Sequence, residues 1–280
     1  MRVTRHETEA AAWEVARRSP LPALRPYVVS SIEGWAQVRG GGMRLREVPF
    51  PGIPLILNLG PPWHVESGDA PMSNQPHDSF LAGLHTIPSI VEGSDSWECI
   101  ELRLTPLGAR RVLGLPMHEL TNRTLDVEEL LPRAGELTGR LREASSWSER
   151  FDLAESFLVR RMADSGPVSP AIEWSWARLR RSDGRASITA LAEELGWSHR
   201  RLIARFRDYI GLPPKALARV IRFSRAVELL GGSPGPTLAA VAYDCGYFDQ
   251  AHMNRDFREL GGTTPATLVA RRTDGGGLAA

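Results

Sequence analysis

Lysine is nearly absent from this sequence. Lys215 is the only one, and arginine supplies the other 33 cationic side chains, a bias that reflects coding preference more than chemistry. Cysteine is equally scarce. Cys99 and Cys245 lie far apart with no CxxC or CxxH spacing nearby, which excludes a disulfide framework and signals no zinc site. Both are expected as buried apolar fillers. No apolar run approaches the roughly 18 to 20 residues of a membrane span, and the opening MRVTRHETEAAAWEVARRS lacks the apolar centre of a signal peptide. A cytoplasmic protein without a membrane partner is expected. No Ser-His-Asp order, phosphate-cradling glycine loop or pair of catalytic carboxylates stands out. The expectation is therefore no catalytic residue, no cofactor and no enzyme.

What is present suits two modest domains, each able to bury a core: 280 residues, 42% hydrophobic and 24% charged. The tail TDGGGLAA reads as frayed. The net charge of +1 hides an asymmetry: residues 168–273 hold 16 Arg or Lys against 10 Asp or Glu, whereas residues 1–167 hold 18 against 22. A basic segment of this size attracts polyanions, nucleic acid first among them. Its alternative is a solvated basic face.

The basic segment contains a repeat. GWSHRRLIARFRDYIGLPP (196–214) is echoed by GYFDQAHMNRDFRELGGTTP (246–265). Counted from Ser198 and Asp249, both good helix N-caps, Leu202 pairs with Met253 at +4, Phe206 with Phe257 at +8, Gly211 with Gly262 at +13 and Pro214 with Pro265 at +16. Spacings of four put the first two pairs on one buried helix face, while glycine at +13 suits a left-handed cap and proline at +16 forbids continuation. Each copy is one short helix and its stop.

The preceding residues match too. Ser187 can cap ITALAEEL and Thr237 can cap LAAVAYDC, with Ala192 and Ala242 each four positions ahead of a glycine. A small residue there lets a second helix cross closely, and the glycine permits the tight turn. This is the helix-turn-helix pattern, whose second helix enters the DNA major groove. Between the units, PKALARVIRFSRAVELLGG reads as one core-facing helix over about 214 to 230, with Lys215, Arg219, Arg222 and Arg225 on its polar side.

Residues 187–272 resemble the DNA-binding domain of the AraC/XylS family of bacterial transcription regulators, carried by ALAEELGWSHRRLIARFRDYIGLPP, RVIRFSRAVELL and VAYDCGYFDQAHMNRDFRELGGTTP. The extra residue in the second turn, Phe248, is also a habit of the family. Met253 in place of the usual aromatic and the loose closing segment TTPATLVARR depart from it. With +4 and +8 buried, His199, Arg200, Ile203 and Ala204 in the first unit and Gln250, Ala251, Asn254 and Arg255 in the second point outward, the positions from which the family reads DNA. Arg200 suits guanine O6 and N7, Gln250 or Asn254 suits adenine, and Ile203 or Ala204 a thymine methyl. Arg201, Arg205, Arg219 and Arg222 suit phosphates. The alternative for any one of these arginines is a solvated helix face, and Arg255 is open between base and backbone.

The first half is less explicit. PLILNLG (54–60) and WECIELRLTP (97–106) read as short strands, TPLGARRVLGLP restarts a helical period, and DVEELLPRAGELTGRLREA and SERFDLAESFLVRRMAD read as two amphipathic helices before an SGPVSP hinge at 165–170. VPFPGIPLILNLG together with LRLTPLGARRVLGLPMHELTNRTLDVEEL resembles the cupin-like sensory or dimerisation domain of one branch of such regulators. His64, His77 and His85 lack the His-x-His pair with which cupin enzymes hold metal, so no metal is expected and they are read as loop or pocket-wall histidines. Trp35, Trp63 and Trp97, with His85, are candidates for a ligand pocket; core packing is the competing role of the tryptophans.

The expected fold is thus α+β: a cupin-like antiparallel β domain with helices over residues 1–165, an all-α domain of two helix-turn-helix units joined by a long helix over 166–272, and a flexible tail at 273–280. The expected function is a sequence-specific transcriptional regulator controlled by a small-molecule effector, by dimerisation of its first half, or both. Its expected partners are double-stranded DNA, an effector, RNA polymerase and a second copy of the chain. The alternative is a DNA-modifying or repair enzyme carrying this DNA-binding fold, whose chemistry would require a reactive, accessible cysteine.

Overall fold

The structure, a computed structural model, describes residues 1–9, 11–67, 76–232, 236–270 and 278–279. Its strands are β1 (Arg2–Glu7), β2 (Ala12–Arg18), β3 (Ile32–Arg39), β4 (Met43–Glu47), β5 (Ile53–Asn58), β6 (Trp63–Ser67), β7 (Pro76–His77), β8 (Phe80–Ala82), β9 (Ser89–Gly93), β10 (Glu98–Leu104), β11 (Thr124–Asp126) and β12 (Leu278–Ala279). The helices are α1 (Pro106–Leu113), α2 (Val127–Leu130), α3 (Ala134–Glu143), α4 (Trp147–Ala163), α5 (Pro170–Arg181), α6 (Ile188–Glu194), α7 (His199–Tyr209), α8 (Pro214–Leu230), α9 (Leu238–Asp244), α10 (Gln250–Gly261) and α11 (Pro265–Ala270). Among the described residues the strands form two antiparallel sheets, one ordered β1-β2-β3-β10-β5-β8-β11 and the other β12-β4-β9-β6-β7. This is the α+β arrangement expected, with β structure and helices first and an all-α half after it.

Alternation along β10 explains how the first half is layered, because successive side chains of a strand point to opposite faces. Ile100, Leu102 and Leu104 join a core with Leu55 and Leu57 of β5 and with α1, α3 and α4, and the register sets Ile100 opposite Leu57 and Leu102 opposite Leu55. Cys99, Glu101 and Arg103 point the other way, toward the second sheet. There Cys99, Ile56 and Phe80 of the large sheet pack with Trp63, Val65 and Val91 of the small one, so the two sheets face each other. Gly34 on β3 lets the helices close over the first face: a Cβ there would lie 2.4 Å from the Trp147 ring of α4.

One expectation needs correction. DVEELLPRAGELTGRLREA is not one helix but two, α2 and α3, because Pro132 cannot donate to the preceding turn and Arg133 takes a left-handed φ of 67°. The tail expected to be free lies mostly outside the described residues, but Leu278 and Ala279 pair with Arg46 and Leu45 of β4. The SGPVSP segment runs directly into α5, a helix the sequence did not announce, which starts at Pro170.

The second half follows local signals closely. Ser187, Ser198, Thr237 and Asp249 cap α6, α7, α9 and α10, each side chain accepting a backbone N–H three residues on. Gly196 and Gly246 take the left-handed turn between the helices of each unit, with φ of 63° and 73°. Leu202, Phe206, Met253 and Phe257 are fully buried, and Phe257 meets Phe223 of α8 edge-on at 4.9 Å between centroids.

The buried apolar residues of the two halves form one continuous cluster. Its seam carries specific contacts. Thr121 Oγ1 donates to the Gly211 carbonyl at 2.9 Å, and the Arg110 guanidinium lies over the Tyr209 ring at 5.1 Å, with Asp208 3.8 Å away.

Candidate DNA interface and effector cavity

The two second helices, α7 and α10, present the same kind of surface. On α7, burial of Leu202 and Phe206 leaves His199, Arg200, Arg201, Ile203, Ala204 and Arg205 exposed. On α10, burial of Met253 and Phe257 leaves Gln250, Ala251 and Arg255 exposed, with Asn254 half-buried and its Oδ1 without a partner among the described residues. Arg201 is steadied over the Trp197 ring at 4.6 Å and Arg205 over Tyr209 at 5.2 Å, geometries that hold a guanidinium in place while leaving its edge free. Phe248, the extra residue of the second turn, is 93% exposed.

Two of the expected phosphate contacts are otherwise engaged. Arg219 Nε donates to Asp256 Oδ1 at 2.7 Å and its Nη2 to Glu259, which ties α8 to α10. Arg222 Nη1 donates to the Gly184 carbonyl at 3.2 Å, and its guanidinium lies over the Tyr247 ring. Both arginines stitch the unit together from inside. Spacing alone put them on the polar side of α8; it could not show that α10 and the turn before α6 close over that side.

A cavity of about 860 Å³ lies between the facing sheets and opens toward the α5 and α8 side of the second half. Trp35, Trp63, His85 and Trp97 come together on its wall, joined by Trp13, Phe50 and Phe80. The indole N–H groups of Trp35 and Trp63 and Nε2 of His85 are buried without a partner among the described residues. Burial lowers the His85 pKa to about 4, so the ring is neutral near pH 7. Sequence reasoning missed Glu47, Glu101 and Arg103, which also line the cavity. The alternation of IELRL, with Glu101 and Arg103 set between apolar residues, was the signal available for the last two.

The thiols lack the character a nucleophile needs. Cys99 and Cys245 are both buried; burial pushes the Cys99 thiol well up and that of Cys245 up to about 11, so neither supplies thiolate near neutral pH. Among the described residues no three His, Cys, Asp or Glu side chains form a group that could hold a metal, and no helix is long and apolar enough to cross a membrane.

Two capped helix pairs, each presenting an exposed second helix and joined by α8, define a double helix-turn-helix protein. Residues 191–271 match the family model described as a helix-turn-helix domain. Over these residues the chain carries a helix-turn-helix domain. No curated protein matches the sequence. Among solved structures, ToxT from Vibrio cholerae O395 bound to (E)-4-(8-methylnaphthalen-1-yl)but-3-enoic acid is 13% identical, with 94% of this chain and 99% of that one covered at a TM-score of 0.49. Unsaturated fatty acid-bound wild-type ToxT from Vibrio cholerae strain SCE256 is 11% identical, with 94% and 95% covered at 0.47. The C-terminal domain of AraT, a response regulator from Geobacillus stearothermophilus, is 23% identical, with 39% and 90% covered at 0.36.

Proposed function

We propose that the protein reads an asymmetric DNA site with both units at once and that a small molecule in the cavity controls it. The carrying observation is the paired exposure on α7 and α10, one unit offering His199 and Arg200, the other Gln250 with Asn254 half-buried beside it. The 17 residues of α8 span about 25 Å at 1.5 Å per residue. Successive major-groove segments on one DNA face lie about 34 Å apart, a gap α8 bridges once the radii of the two units it carries are added. Arg200 favours a G·C pair in the first segment; Gln250 and Asn254 tolerate A·T in the second. Arg201 and Arg205 hold phosphates.

The cavity supports the regulatory half of the reading. Its wall includes Ile221, Ser224, Arg225, Val227 and Glu228 of α8, the helix that sets the spacing of the two units, so an occupant would touch sheets and connecting helix together. A second copy of the chain pairs through the acidic first half, where β1 forms a sheet edge. Its setting is the cytoplasm, and RNA polymerase is the partner of the DNA-bound form.

The test is binding of the full-length protein to a site selected from random duplexes, measured across salt concentration. Log affinity should fall linearly with log salt as arginines displace counterions. A folded protein whose DNA binding ignores salt contradicts the reading.

A further inference from the structure

Among the described residues the cavity wall carries Arg44, Arg103, Arg180 and Arg225 against Glu47, Glu101, Asp183 and Glu228. Glu101 accepts from Arg103 Nε at 2.6 Å, and Arg225 Nη1 donates to Glu228 at 2.7 Å. Arg44 reaches outward to Glu92 at 2.5 Å. Arg180 and Asp183 stand at the α5 end of the wall. Glu47, beside the sheets, has no hydrogen-bonded or ion-paired partner among the described residues. It stands at the end of β4 on the same face as Met43 and Leu45, which alternation turns toward the cavity. Its side chain is exposed to the open cavity, yet the surrounding wall and the nearby Glu101 raise its carboxyl, with Arg103 opposing.

The uncharged wall is mostly apolar and includes several aromatic rings, two of which already hold cations. Arg17 lies over Trp35 and Arg103 over Phe50, each at 5.5 Å from the ring centroid, as the negative face of an aromatic ring favours. Trp13, Trp63 and Trp97 line the same space. A cavity rich in aromatic rings, with a carboxyl that no side chain hydrogen-bonds among the described residues, matches a ligand with an apolar body and one positive charge.

We infer that the cavity takes an amphipathic organic cation, an amine on an aromatic or alkyl body, with Glu47 as the partner of its ammonium and the tryptophans around its apolar part. This rests on reading the cavity as the effector site. In it, Glu47 would accept charge-assisted hydrogen bonds from the ammonium and face its full positive charge; a neutral ligand lacks that ion pair and an anionic one is repelled.

The experiment is calorimetric titration of the full-length protein with three probes of one shape: 2-naphthylmethylamine, 2-naphthylmethanol and 2-naphthoate. The amine should bind about tenfold tighter than the alcohol or better, and the carboxylate weakest. Glu47→Gln, which keeps the shape, should remove the amine's advantage over the alcohol, and an unaltered thermal unfolding midpoint reports that the variant is folded. Tightest binding of the alcohol or carboxylate, or an amine advantage that survives Glu47→Gln, overturns the inference while leaving the effector site standing. If none of the three binds, the effector reading falls and the inference with it.

Discussion

Thr121 and Gly211 join the two halves of the protein: the threonine hydroxyl donates to the glycine carbonyl at 2.9 Å, just past the end of the first recognition helix. Gly211 can sit there because its φ is 104°, and a Cβ would lie 3.1 Å from the Met117 carbonyl oxygen. Thr121→Val, which keeps the shape and removes the donor, should cost about 1 kcal/mol of stability. Gly211→Ala should cost more, about 1–3 kcal/mol, because it adds backbone strain. Denaturant unfolding of both variants checks the order; an alanine variant as stable as wild type would mean the turn relaxes freely.

Arg219 should act on stability before it acts on DNA. Asp256 is buried, and Arg219 is its ion-pair partner. Arg219→Ala leaves that carboxylate uncompensated and should cost about 3 kcal/mol, while Asp256→Asn in the same chain should restore part of the loss. Thermal unfolding of the two single variants and the double variant supplies the cycle. Stability unchanged in Arg219→Ala, with DNA binding weakened equally for all sequences, would return Arg219 to the phosphate role that the helix pattern first suggested.

Arg200 is exposed on α7 and has no intramolecular partner among the described residues. Arg200→Ala should leave stability within about 0.5 kcal/mol, cost roughly 1–3 kcal/mol of specific binding and relax one base position. Equal losses on selected and random DNA would make it a phosphate contact.

His85 gives the fold an acid sensitivity of known sign. Its folded pKa, about 4, lies below its ordinary value of 6.5, so between these values the unfolded chain binds a proton that the native protein refuses. The contribution is whole above pH 6.5, declines as pH falls, and is gone below about 4, amounting to about 3 kcal/mol. His85→Gln should flatten the stability profile in that window. Parallel profiles for the two proteins would show that His85 protonates readily in the native state.

What the sequence announced, it announced locally. α8 was expected over about 214 to 230 and runs Pro214–Leu230, and the four caps of the repeat all form, because a cap, a four-residue spacing and a glycine turn act within one or two turns of helix. Long-range relationships stayed hidden. Arg219 and Asp256 are 37 residues apart, and β4 meets β9 and β12 across the chain, so neither the occupation of Arg219 nor the place of Glu47 in the cavity could be read from spacing. α5 was missed for another reason: Pro170 reads as a breaker, yet at the first position of a helix its missing N–H costs nothing. The cavity wall lay between these cases. Trp35, Trp63, His85 and Trp97 could be named as candidates, but alternation alone left their shared face undetermined.

The central claim is that one protomer engages DNA through both units. Hydroxyl-radical footprinting of the full-length protein on its selected site tests it most directly. The account predicts that each protomer protects two segments on one face of the duplex, separated by one helical turn of roughly 10 base pairs, and that Arg200→Ala weakens the segment containing G·C more than the other. A single protected segment per protomer would contradict it, leaving one unit as a structural copy that never enters the groove.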